Sequence, residues 1–290
     1  MKFIYEKYSN SPSDYHKFML EIIADKFSIY KQNLIICSQI MSDDNVHDLR
    51  VAARRFIATM NLYKTIYPTL YFPMIIKMVK KNFKSLGNVR DTHIMLQNCQ
   101  SMKIQFPIIY DFINYLLAKE KKLIANFSKN LSEVEFNEIE GMMYYLTRIL
   151  KYDFPSVSPD FTIFENYFDE QLQNIRAIYN QIDYSNTKTI HKFRIATKKY
   201  RYYAEVLQSF IPNYQNLYKI LVKIQDDAGA IQDSVVFIDK FNYFVNKRHF
   251  EGLEAEKQIS NVMNYLEEKQ HQLISNFKNN NELITSIFAE

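Results

Sequence analysis

The chain is poor in residues that break helices and make tight turns: 4 Gly and 7 Pro in 290 positions. So little punctuation excludes a protein of many hairpins and points to long helices. The two cysteines, Cys37 and Cys99, form no C-x-x-C pair and have no histidine at ligand spacing. That excludes a disulfide framework and a zinc site, and both are expected as reduced, buried thiols. No run of about 18 uncharged apolar residues occurs. The opening Met1-Lys2-Phe3-Ile4-Tyr5-Glu6-Lys7 has no apolar core of a signal peptide. The expectation is a soluble cytoplasmic protein without membrane contact, and no motif asks for a cofactor.

What is abundant is apolar and aromatic. Hydrophobic residues make up 47% of the chain, with 22 Tyr and 22 Phe, more than disordered chains carry. Apolar positions recur at spacings of three and four, the helical period, so the fold class is read as all-α. The pattern predicts helices over 14–41, from the Ser42-Asp43-Asp44-Asn45 cap cluster to Pro68, from Pro73 to a left-handed cap at Gly87, and from Val89 toward Pro107. Further helices are expected over 107–129, 132–152 (Ser132 and Glu135 in capping-box register), 161–182, 189–210, 213–228, 230–247 and 251–278. Asp153-Phe154-Pro155-Ser156-Val157-Ser158-Pro159 reads as a linker. The expected organisation is 1–152, a linker at 153–160, and 161–290.

Charge is segregated. Residues 46–90 hold nine Lys/Arg against Asp48, and 188–223 hold eight against Glu205, a net +15, whereas the rest of the chain carries −11. Clustered charge of one sign focuses potential on a partner of the other.

The two basic stretches also match in detail. Val46-His47-Asp48-Leu49-Arg50-Val51-Ala52-Ala53-Arg54-Arg55-Phe56 aligns with Ile190-His191-Lys192-Phe193-Arg194-Ile195-Ala196-Thr197-Lys198-Lys199-Tyr200 at an offset of 144. At an offset of 142, Lys77, Lys81, Gly87 and Asp91 align with Lys219, Lys223, Gly229 and Asp233. Two blocks in the same order, differing by two residues in spacing, read as an internal duplication.

On a helix, His47, Arg50 and Arg54 fall within an arc of about 60° and span roughly 10 Å. His191, Arg194, Lys198 and Arg201 continue such a stripe to about 15 Å. The opposite faces, Leu49-Ala52-Phe56-Met60-Tyr63 and Phe193-Ala196-Tyr200-Ala204-Leu207, are apolar and should pack inward. Lys77, Lys81 and Lys84, matched by Lys219 and Lys223, give the following helix a basic face. Solvated helix faces ordinarily mix signs, because like charges one turn apart repel. A stripe that accepts repulsion twice, at equivalent places, reads as a polyanion site. Arginine forks and helix N-terminal N–H groups suit phosphate, and a bound polyanion would raise the pKa of His47 and His191.

These residues identify a resemblance. The paired H-x-x-R-[VI]-A-x-[RK]-[RK] blocks, with Leu86-Gly87-Asn88-Val89-Arg90-Asp91 and Ala228-Gly229-Ala230-Ile231-Gln232-Asp233, resemble the CHAD domain, the conserved histidine α-helical domain, over residues 14–280. The resemblance implies two pseudo-symmetric helical bundles enclosing a basic cavity or pore, and binding of inorganic polyphosphate, often at polyphosphate granules. It carries the family's basic positions onto His47, Arg50, Arg54, Arg55, Lys77, Lys81, His191, Arg194, Lys198, Lys199, Arg201, Lys219 and Lys223. Lys84 and Arg90 complete the candidate set from charge clustering. Ile57 stands where family members often carry a basic residue, retained as Arg201 in the second copy, so the C-terminal half is expected to supply more affinity.

The E-x-E-x-K strand motif of fused triphosphatase domains is absent, and the implied function is non-enzymatic binding of polyphosphate or related phosphate and sulfate anions. Nucleic acid is the alternative partner, although no recognised nucleic-acid module accompanies the basic residues. A metal-dependent phosphohydrolase would have to rest on His47-Asp48 and on His93 beyond Asp91. The second copy reads His191-Lys192, and neither a catalytic residue nor a metal ligand is assigned.

Overall fold

Ser42 shows how the sequence sets its helix starts. Its hydroxyl accepts from the backbone N–H of Asn45 at 3.1 Å, satisfying one donor that the first turn leaves open, and Asp43 and Asp44 follow at the positive end of the helix dipole. The computed structural model describes residues 12–130, 133–152, 161–207 and 214–288. Among the described residues the regular elements are all helical: α1 Pro12–Gln39, α2 Asp43–Tyr63, α3 Tyr71–Met102, α4 Ile109–Asn130, α5 Glu133–Tyr152, α6 Phe161–Tyr179, α7 Thr187–Leu207, α8 Tyr214–Arg248, α9 Leu253–Asn279 and the short α10 Asn281–Ser286.

Most boundaries follow the signals that announced them. Pro73 lies in the first turn of α3, where its missing N–H costs nothing, and the 103–108 break surrounds Pro107. The expected linker at 153–160, the Ser132 cap and the expected end of the 189–210 helix fall outside the described residues.

Gly87 corrects the sequence reading. It does not end a helix: α3 runs unbroken from Tyr71 to Met102, and α8 likewise passes through Gly229. The one described glycine with positive φ is Gly252, at the start of α9. Glycine serves two purposes, left-handed backbone or close approach of a neighbour. Gly87 and Gly229 are mid-helix, each with an arginine at ordinary contact distance from where a Cβ would stand.

The chain forms two compact units, each drawn from three stretches. The first comprises the described residues within 1–88, 124–171 and 199–218; the second, those within 89–123, 172–198 and 219–290. In the first unit Phe56 of α2 is fully buried and stacks on Tyr30 of α1 at 5.7 Å between ring centroids. In the second, Phe112 of α4 is surrounded by Phe237, Phe241 and Phe244 of α8, with centroids 5.6, 5.4 and 5.1 Å away. The expected inward faces are buried at Leu49, Ala52, Phe56, Met60, Tyr63, Phe193, Tyr200 and Ala204, while Ala196 is half-buried. Both cysteines are buried free thiols, and burial pushes Cys37 up to about 11 and Cys99 to about 12.

Candidate functional site: two cationic constellations

In the first unit the stripe of α2 is not a row of waving side chains. Arg50 and Arg54 are half-buried, with guanidinium carbons 4.5 and 5.2 Å from the centre of the Phe83 ring on α3. Cation–π contact of this kind holds a guanidinium flat and leaves its edge for hydrogen bonding. Arg50 Nη1 reaches the Phe83 carbonyl at 3.4 Å and lies 3.5 Å from where a Cβ on Gly87 would stand. The arginine lies against the helix at the glycine, at a distance that is ordinary van der Waals contact.

Tyr202 of α7 extends this group. Its hydroxyl accepts from Arg54 Nη1 at 3.5 Å, and its ring carries the Arg201 guanidinium at 4.5 Å, with Tyr218 at 5.9 Å from the same group. Arg201, on the same helix as His191, Arg194 and Lys198, thus belongs with Arg54 to the first unit. The Nε–H groups of Arg54 and Arg201 are buried without a hydrogen-bond partner in the protein. Arg55 pairs with Glu205, Nε to Oε1 2.5 Å. Lys199 is exposed, 3.1 Å from Gln171 Oε1 and near the rings of Tyr167 and Tyr203. His47 is exposed in the first turn of α2.

The lysines of α3 divide. Lys77 and Lys81 lie roughly 120–160° around the helix from Phe83, the side turned to Arg50, and line a groove against α5. Lys84, about 100° from Phe83, is exposed.

In the second unit the first arginine makes the same contact. Arg194 lies along Gly229, with Nε 3.6 Å and Nη2 3.9 Å from where a Cβ would stand. The surroundings differ. The position matching Phe83 is Gln225, whose buried Oε1 has no hydrogen-bond partner in the protein. Asp233 lies in the field of Arg194, Arg90, Lys198 and Asp91; burial raises its pKa, Arg194 opposes the rise, and Asp91 adds to it. His191 is half-buried, hydrogen-bonded to Gln232; burial, then Arg194 and Lys198, lower its pKa, while Gln232 works the other way. Lys219 and Lys223 are exposed on α8.

Phe83, Tyr202 and the acids Asp91 and Asp233 were not singled out as site residues from sequence. For the two acids the signal was available, since they occupy matching positions beside Arg90 and Gln232. For Phe83 and Tyr202 it was lost among the chain's many aromatics.

His93, a metal-ligand candidate on α3, is buried and paired through Nε2 to Glu120 Oε1 at 2.7 Å. Among the described residues no group of three or more His, Cys, Asp or Glu could hold a metal ion. No described helix is long and apolar enough to cross a membrane.

The sequence profile of the CHAD domain matches residues 37–241. The chain belongs to the CHAD domain family. The fold agrees with a solved CHAD structure, the crystal structure of the CHAD domain from the plant Ricinus communis. The two share a TM-score of 0.73 and 14% identity over 95% of this chain and 92% of that one. No curated protein matches the chain. The CHAD match spans both basic blocks and both arginine–glycine contacts.

Proposed function

We propose that this CHAD protein is a non-enzymatic binder of inorganic polyphosphate that engages the polymer through the cationic constellation of each unit. The observation that carries this reading is the state of Arg54 and Arg201. Each keeps a buried Nε–H donor without a protein partner beside Tyr202. Leaving a buried donor unsatisfied costs about 1–3 kcal/mol, a cost that an incoming phosphate oxygen removes. Planar forks held against Phe83 and Tyr202 are preorganised for bidentate contact with such oxygens. The repeated Arg50–Gly87 and Arg194–Gly229 contacts support descent of the two constellations from one duplicated motif.

Family membership supports polyphosphate as the polymer, and the same reading puts the protein in the cytoplasm, at polyphosphate granules. A non-enzymatic role is supported by the engagement of His93 with Glu120. Incubation with polyphosphate and Mg²⁺ or Mn²⁺ should release no phosphate; release that disappears in Asp48→Ala would establish a hydrolase instead. Competition at one salt concentration between long-chain polyphosphate and duplex DNA tests the choice of polymer. Polyphosphate should displace DNA, with affinity falling steeply as salt rises because neutralised phosphates release counterions. Preferential retention of DNA would make nucleic acid the ligand.

A further inference from the structure

Glu205 is the only acid in residues 188–223, against eight Lys/Arg, and it lies within the cationic constellation of the first unit. On α7 it follows Arg201 by four positions, so the two share one face of the helix. From α2, Arg55 brings its Nε to 2.5 Å from Glu205 Oε1. The two partners differ in exposure: the Glu205 side chain is 15% exposed, that of Arg55 41%.

The contact is close but misaligned. The buried Nε–H of Arg55 makes no hydrogen bond, and the second oxygen of Glu205, Oε2, is buried with no partner in the protein. Charges withdrawn from water offset that loss only when their hydrogen bonds are complete, so the pair is held less firmly than its distance implies. Arg54 and Arg201 are steadied by the rings of Phe83 and Tyr202. Arg55 has no such ring and can leave Glu205 for a better acceptor.

We propose that Glu205 sets the preference of this site for densely charged polyanions, holding Arg55 and yielding it only to a ligand that engages Arg54, Arg55 and Arg201 together. In polyphosphate, successive phosphorus atoms share one oxygen. In nucleic acid a sugar stands between them. The sparser polymer satisfies fewer of the three guanidiniums, and the repulsion between its own charge and the Glu205 carboxylate is left without compensation. Discrimination of this kind comes from a repulsive group placed against the wrong partner, at some expense of affinity for the right one. The inference rests on polyphosphate binding by the same cluster and adds the residue that turns nucleic acid away.

Glu205→Gln removes the charge and keeps the shape. Long-chain polyphosphate and duplex DNA are titrated against the full chain, parent and variant, over a range of salt starting low enough for the parent to bind DNA. In the variant DNA should bind roughly tenfold more tightly and polyphosphate less than about threefold, with the salt slope for DNA steeper by about one because Arg55 now takes up a phosphate. The slope for polyphosphate should stay as it is, since Arg55 already engages that polymer. Arg55→Met added to Glu205→Gln should return the DNA slope to the parent value, a readout that a change in stability does not imitate. Equal tightening of both polymers, no change in either, or weaker polyphosphate binding in Glu205→Gln would overturn the proposal, the last by making the carboxylate an anchor for Arg55. A parent that binds no polyphosphate would overturn the underlying reading as well.

Discussion

Arg54 donates to the hydroxyl of Tyr202 across 3.5 Å, although 148 positions separate the two residues in the chain. The same tyrosine carries Arg201 on its ring. One nearly buried aromatic therefore orders two arginines, each with an unsatisfied donor.

Tyr202→Phe should leave Arg201 stacked and free Arg54. Stability should change by less than about 1 kcal/mol, the scale of one hydrogen bond, while polyphosphate affinity falls severalfold. Tyr202→Leu removes the ring from Arg201 as well and should lower affinity further. Isothermal titration of the two variants checks the order; equal loss in both would assign the effect to the hydroxyl alone.

Gly229 makes a prediction of opposite sign for stability and binding. An added Cβ would stand 3.6 Å from Arg194 Nε, an ordinary contact. Gly229→Ala should therefore be tolerated and raise the thermal midpoint, since mid-helix glycine costs about 0.5–1 kcal/mol relative to alanine. Gly229→Leu should push the guanidinium away and cut polyphosphate affinity with helix content unchanged by circular dichroism. Loss of helix in the leucine variant would show that the position is purely structural.

How much of this was legible in the sequence follows from what periodicity encodes. The spacing of Leu49, Phe56, Met60 and Tyr63 tells that one face is buried, and Ser42 and Pro73 mark helix starts by backbone chemistry alone. Neither tells which helix covers the face. Hence the sequence pattern could not foresee that Arg201 joins Arg54, or that the compact units combine stretches from both halves. The expected cap at Gly87 does not form, because glycine occurs both in left-handed turns and at mid-helix positions beside a packed side chain, and only the tertiary neighbour distinguishes them. The two arginine stripes were legible because same-sign charge at helical spacing is visible without tertiary information.

His191 gives a pH dependence whose sign follows from its environment. Its folded pKa lies below 6.5, with burial the largest cause. Just below 6.5 the unfolded chain therefore takes up a proton that the folded chain does not, and stability is lost as pH falls through that window toward the lowered folded value. A bound polyanion favours the charged imidazole, so binding should take up a proton and tighten as pH falls below neutrality. Calorimetry in buffers of different ionisation enthalpy measures the uptake, which should shrink in His191→Gln. Undiminished uptake in that variant would move the effect to another group.

Asp233 lies in the field of Arg194, and under the proposed function it should compete with polyphosphate for that arginine. Burial raises its pKa, so the fold disfavours its charged form, and stability contributed by the protonated group is lost as pH rises through the raised value. Asp233→Asn should be at least as stable as the parent at neutral pH and should bind polyphosphate several times more tightly. Weaker binding would mean that the carboxylate positions Arg194 rather than competing for it.

The central claim is that the two arginine stripes bind polyphosphate, and charge reversal in both tests it most directly. Arg50→Glu with Arg194→Glu should abolish binding of long-chain polyphosphate in a titration at fixed salt, with the helical spectrum and the unfolding midpoint close to those of the parent. Parent-like affinity in the folded double variant would contradict the account.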